Sequence, residues 1–207
     1  MKKLKLSALV LVLALSAVSA FSCGENKTTS TSEQSITMLD PNEPVSEVTK
    51  KYSANSKKTD SVIGEEAEVN DTVFKLNDVV AIPSPLNDGN EYLYINVTIK
   101  NNTDIDYEIS SLNNFYVSMP DETETLSNVR AKLYALNNYT KCVDDYIKIP
   151  ANGEFTGYLA GGFIVPEGTE SFDIGFFPTL NNTIDRANVI VSSVTSEKIS
   201  HDDSVLK

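Results

Sequence analysis

The sequence predicts an all-β protein, an antiparallel β-sandwich of about seven to eight short strands preceded by a disordered tether. Three observations predict it. Beyond residue 64 the apolar residues alternate with a period of two rather than 3.6. Turn-forming clusters of Pro, Gly, Asn and Asp separate the runs. The helices that a parallel sheet needs as crossovers are missing between them. At 207 residues and 41% apolar composition, the chain can build one ordinary core with appendages. A closed barrel is the alternative that the same pattern allows, and no fixed-period repeat is evident.

The first element is an export signal, residues 1–22. Lys2, Lys3 and Lys5 precede an apolar run from Leu6 to Val18, and the small residues Ser19, Ala20 and Ser22 follow. This is the layout of a secretory leader. The run is shorter than the roughly 20 residues that a bilayer span needs. Ala20-Phe21-Ser22-Cys23 resembles the lipobox of bacterial lipoproteins, in which the cysteine takes a diacylglyceryl group and becomes the first residue. Cys23 is the expected lipidation site. Two acyl chains, at about 0.8 kcal/mol per buried CH₂, give stable attachment. Cleavage after Ala20 is the competing reading. It yields a secreted protein and leaves Cys23 as a thiol.

The second element, residues 23–63, reads as the lipidated cysteine and a disordered tether. Thirteen of the forty residues 24–63 are Ser or Thr, and Tyr52 is the only aromatic among them. Such a stretch buries too little apolar surface to offset its ordering entropy.

The third element, residues 64–195, is the expected domain. Its clearest strand is Tyr92 to Lys100, with Leu93, Ile95, Val97 and Ile99 facing in. Tyr92, Tyr94, Asn96, Thr98 and Lys100 face out on the same pattern. Phe74, Leu76, Val80 and Ile82 mark an earlier strand, or two short ones, ended by Pro83 and Pro85. Phe115, Val117 and Met119 alternate ahead of Pro120-Asp121. Ile147 and Ile149 lead into the turn at Pro150-Ala151-Asn152-Gly153. A strand from Phe155 runs past Gly161-Gly162 to Val165. Phe172, Ile174 and Phe176 make another, and Ala187 to Val194 the last. Val129 to Leu136 is the one stretch that reads as a short helix. Residues 196–207 read as a polar C-terminal tail.

Three stretches carry a family resemblance. They are Gly89 to Asn102 with its closing Lys-Asn-Asn, Ile149 to Leu159 with its Pro-x-x-Gly turn, and Phe163 to Gly168 followed by Phe172-Asp173-Ile174. Together they resemble the immunoglobulin-like domain of unknown function numbered four-three-five-two, found in surface lipoproteins of Gram-positive bacteria. The resemblance covers roughly residues 65–192. It implies an immunoglobulin-like sandwich on a cell surface and no catalytic residues.

Charge narrows the partners. The 29 acids and 17 bases give a formal net charge of −12. Such a body repels phosphate backbones, so nucleic acid is not an expected partner. One histidine and two cysteines offer little for His-based catalysis or a cysteine-rich metal site. Asp104, Asp106 and Glu108 alternate with Ile105, Tyr107 and Ile109. On an extended chain the three carboxylates would share one face, where Ca²⁺ is the cation they would take. The plainer reading, which the sequence favours, is an acidic edge that discourages strand addition. No other cofactor is expected.

Tyr92, Tyr94 and Asn96 are the candidate ligand-binding set, since outward aromatic and amide groups can hold a sugar or a partner protein. Cross-strand packing is their plainer reading. Asp144 and Asp145 are neighbours and should face opposite ways. His201 lies in the tail without an evident catalytic partner. Cys142 reads as a small buried hydrophobe, or as the partner of an unlipidated Cys23 in a disulfide.

The functional expectation is a lipid-anchored surface protein on the outer face of a bacterial membrane, with no enzyme activity. Its domain would engage an envelope protein or wall polymer. The alternative is an envelope spacer with no ligand.

Overall fold

The computed structural model describes residues 51–207. The export signal, Cys23 and tether residues 24–50 lie outside them. In chain order the strands are β1 (Lys57–Val62), β2 (Glu66–Val69), β3 (Thr72–Pro83), β4 (Asn90–Asn101), β5 (Tyr107–Ile109), β6 (Phe115–Ser118) and β7 (Glu124–Leu126). Helix α1 (Val129–Asn138) follows. Then come β8 (Cys142–Val143), β9 (Ile147–Ile149), β10 (Glu154–Leu159), β11 (Phe163–Pro166), β12 (Ser171–Phe176), β13 (Thr179–Leu180), β14 (Thr183–Ile184), β15 (Asn188–Thr195) and β16 (Ile199–Ser200).

Two sheets make the expected sandwich. One runs β1-β15-β12-β6-β7 and the other β16-β3-β4-β10-β8, with β2 added beside β3 and β11 beside β4. Most pairs are antiparallel, but β1 with β15, β8 with β10, and β16 with β3 are parallel. Between the sheets, Leu93, Ile95, Val97 and Ile99 of β4 meet Phe115, Val117, Ile174, Phe176 and Ile190. The Phe74 ring stacks on Phe176 with centroids 4.7 Å apart. The inward set predicted for β4 is therefore the centre of the core, and the period of two identified it.

The expected boundaries move outward at both ends. Lys57–Val62, assigned by composition to the tether, is an edge strand hydrogen-bonded along its length to β15. Its short polar-apolar pattern looks like linker because an edge strand buries little. Residues 196–207 are not a free tail. β16 pairs with β3, and Leu206 is fully buried beneath α1.

The Phe74-to-Ile82 segment is one strand with a bulge. Register shifts between Leu76 and Asp78, so Asn77 is the extra residue. Before it Phe74 and Leu76 face the main core; after it Val79 and Ala81 do. Val80 and Ile82 are turned to the opposite side from Phe74 and Leu76. The expected strand from Phe155 to Val165 is likewise broken into β10 and β11. At the break, a Cβ on Gly162 would stand 2.7 Å from Tyr94 Cε1 and 2.8 Å from the Leu93 carbonyl oxygen, so the chain passes too close for any side chain.

The predicted helix forms a third layer. Asn128 caps it, its side chain accepting from the Arg130 N–H at 2.8 Å. Its inner face is Ala131 and Ala135, one turn apart, so the helix lies close on the outer face of β3 and β4. Tyr92 and Tyr94 fill that interface, and the Tyr94 hydroxyl donates to the Ala131 carbonyl at 2.8 Å.

Candidate functional site

The site predicted on β4 is closed. Tyr92 and Tyr94 do point outward from the sandwich core, but α1 covers them and both are fully buried. Asn96 is committed as well, its carbonyl oxygen accepting from Asn77 Nδ2 at the bulge, 3.0 Å away. Alternation gave the direction of these side chains correctly. It could not report that a helix some thirty residues further on lies over them.

The acidic row is dispersed. Only Tyr107–Ile109 is extended, and Asp104 lies in a preceding bend. Asp106 accepts from the Ala151 N–H at 2.9 Å, and Asp104 opens on a different cavity from Asp106 and Glu108. Among the described residues no three acidic, His or Cys side chains gather as a metal site. The Ca²⁺ reading of Asp104, Asp106 and Glu108 has no geometric basis, because the chain turns between them.

The remaining candidates also separate. Asp144 meets Lys132 Nζ at 2.8 Å, and that ammonium holds its carboxyl below the usual range. Asp145 faces Ser111 Oγ at 3.3 Å instead. His201 Nδ1 stands 3.8 Å from Glu91 on an exposed edge. Cys142 packs beside Tyr158 and makes no disulfide among the described residues. Burial pushes its thiol up to about 11, so at neutral pH it is a protonated, weakly nucleophilic group.

A groove at one end of the sandwich takes the place of the expected site. One wall is the two-stranded ribbon of β5 and β9, with Glu108 directly opposite Lys148. Tyr107, Ile109, Ile147 and Ile149 point into the core, which leaves Glu108 and Lys148 on the outer face. The other wall is the β13–β14 hairpin. Asn181 and Asn182 form its two-residue turn with φ of 50° and 58°, the left-handed pair that such turns require. The groove encloses about 570 Å³ and is lined by Glu108, Asn113, Tyr146, Lys148, Asn182 and Ile184, among others. That volume is in the range of small-molecule sites, about 300–1,000 Å³.

Hydrogen bonds fix the walls to each other. Thr179 Oγ1 donates to the Glu108 carbonyl at 3.1 Å. The Asn114 amide, itself buried, donates to the Phe177 carbonyl at 2.8 Å and accepts from the Ser110 N–H at 2.9 Å. Arg186 lies over the Phe177 ring, 4.2 Å from its centroid, and donates to the Asn113 carbonyl.

Tyr146 stands at the rim. The residue is 62% exposed, and its backbone has a φ of 63°. A bulky residue in the left-handed region is an outlier, costing on the order of 1–3 kcal/mol. The neighbouring contacts enforce it, because Asp145 is held by Ser111 and Ile147 is buried in the core. Tyr146 carries no signal in the sequence, where it is one aromatic between two acids and a strand. The Asn-Asn pair between Thr-Leu and Thr-Ile was the available signal for the hairpin.

A further exposed feature lies on the outer face of α1, where Val129, Leu133 and Leu136 form an aliphatic row. Among the described residues, no helix is long and apolar enough to cross a membrane.

A family model described as Domain of unknown function (DUF4352) matches residues 61–185. Among solved structures, the chain is similar to a protein described as a candidate lipoprotein (ycdA) of Bacillus subtilis, at 17% identity and a TM-score of 0.47. That match covers 64% of this chain but 38% of the other. The yjhA protein of Bacillus subtilis is similar at 14% identity and a TM-score of 0.45, covering 64% of this chain and 97% of that one. An uncharacterized beta-sandwich protein of Clostridium difficile matches at 16% identity and 0.38, over 68% and 96% of the two chains. No curated protein matches.

Proposed function

The chain belongs to the family described as Domain of unknown function (DUF4352), and for this member we propose a lipid-anchored envelope protein that presents its β-sandwich as an interaction module. The anchoring half rests on the charged, apolar and small-residue leader ending at Cys23. The Ser/Thr-rich segment between Cys23 and β1 would hold the domain off the membrane.

The recognition half rests on one observation, the groove between the β5–β9 ribbon and the β13–β14 hairpin. Its walls are cross-linked by Thr179 and Asn114, which themselves line it, so a ligand meets a surface that is already formed. This favours a binding module over an inert spacer, which has no need of a held cavity. No catalytic step is assigned. Asp106 is occupied by the Ala151 N–H, and Glu108 faces Lys148 rather than a second carboxylate.

Intact-mass analysis of the membrane-extracted protein tests the anchor. The expected first residue is a diacylglyceryl-modified Cys23. A mature chain beginning at Phe21 and released to the medium would overturn it.

A further inference from the structure

We propose that the groove is a saccharide site, in which a sugar ring packs its C–H face on Tyr146 while its hydroxyl or acetamido groups bond to Asn113, Asn182, Glu108 and Lys148. This deepens the interaction-module reading and rests on its recognition half, not on lipid anchoring.

Three features of the groove select this chemistry. The first is the exposed aromatic. Tyr146 presents an uncovered ring at the mouth of a cavity, on a backbone held at positive φ by its neighbours. An aromatic face with an adjacent polar rim suits a ligand that is apolar on one side and polar at its edge.

The second is the polar complement. Amides that both donate and accept, two carboxylates and one ammonium line the same cavity. A polyhydroxylated ring, whose groups also both donate and accept, uses that mixture fully. An anionic phosphate ligand does not, since Lys148 is the single cation in the lining and Asp106 and Glu108 oppose it.

The third feature weighs against the main rival. An extended peptide binds by adding to an open strand edge. Here the Glu108 carbonyl on the outer edge of β5 is already taken by Thr179 Oγ1. The hairpin occupies the place a peptide strand would take, and recognition falls to side chains.

The test uses the mature chain, residues 23–207, with Cys23→Ser to keep it in solution. Tri-N-acetylchitotriose and maltotriose are the probes, followed by saturation-transfer NMR and titration, with triglycine and inorganic phosphate as controls. At least one trisaccharide should bind and both controls should not. Tyr146→Ala should weaken binding about tenfold or more, equivalent to about 1.4 kcal/mol. Asn182→Gly keeps the positive φ of the turn while deleting the amide, and should weaken binding several-fold with an unchanged denaturation midpoint. Trisaccharide binding that is untouched by both substitutions would overturn the assignment to this groove. The absence of binding by either trisaccharide at millimolar concentration would overturn the saccharide class. Triglycine binding lost in Tyr146→Ala would overturn that class while leaving the groove as the recognition site. Failure of the anchor would appear only in the mass of the mature N-terminus, never in these titrations.

Discussion

Two sets of tyrosines occupy opposite situations in this molecule. Tyr92 and Tyr94 point away from the sandwich core, yet are sealed beneath α1. Tyr146, in the three-residue connection from β8 to β9, stands open at the groove rim. Alternation along a strand sets which face a side chain takes; what covers that face is set by distant chain. The pair Ala131 and Ala135 brings α1 down on β4, whereas nothing among the described residues descends on the groove. An outward aromatic is thus buried under α1 in one place and exposed at the groove rim in another.

This contrast can be broken most forcefully at Tyr94. Tyr94→Ala removes a fully buried ring and the hydrogen bond that ties α1 to the sheet, and should cost about 3–5 kcal/mol. Denaturant melts read the loss. A cost under about 1 kcal/mol would mean that α1 does not seal this face. Next comes Ile95→Ala, on the inward side of the same strand, expected to cost about 2–5 kcal/mol through the cavity it leaves. Comparable losses from adjacent residues on opposite faces are the signature of a strand buried on both sides.

Tyr94→Phe is gentler. It deletes the bond to the Ala131 carbonyl and should cost about 1 kcal/mol. It also bears on pH. Burial pushes the Tyr94 hydroxyl well above the ordinary tyrosine range, that of Tyr116 up to about 12 and the Cys142 thiol up to about 11. The folded state then holds these protons more tightly than the unfolded chain does. Their contribution is complete below the ordinary values of 9.0 for the thiol and 10.0 for the phenols, and is lost as pH rises beyond them. Denaturation midpoints should stay level to about pH 8 and fall above about pH 9. Tyr94→Phe should make the fall shallower, and an equal slope in both proteins would contradict the burial of that hydroxyl.

The smallest effects belong to the half-buried Thr98 and the exposed Tyr146. Thr98→Ala, on the part of β4 beyond the helix, should cost less than about 1 kcal/mol. Tyr146→Ala should change stability by no more than about 0.5 kcal/mol, since the ring is mostly exposed. A loss at Thr98 equal to that at Ile95 would mean that β4 is not oriented as its alternation says.

The sandwich was legible because each central strand buries one face against the other sheet. Leu93 to Ile99 and Phe172 to Phe176 carry that alternation without interruption. The register of β3 was legible only as far as Leu76, because a bulge at Asn77 inverts the period that follows. β1 and β16 were not legible, since edge strands of a few residues bury too little to leave a pattern. The groove was the least readable part. Its walls come from residues 106–114, 146–150 and 179–184, three segments that only the tertiary fold brings together. The candidate tyrosines on β4 were chosen for their direction, and the helix that buries them was itself visible as Val129 to Leu136 without any indication of where it would lie.

Nitration of the native protein by tetranitromethane, mapped by peptide mass, tests the contrast most directly. The reagent attacks accessible phenolate. Tyr146 should be modified early, while Tyr92 and Tyr94 should stay unmodified until denaturant is added. Modification of Tyr92 or Tyr94 in the native protein as fast as Tyr146 would mean that α1 leaves β4 open and that the predicted site on that strand, not the groove, is the exposed aromatic surface of this domain.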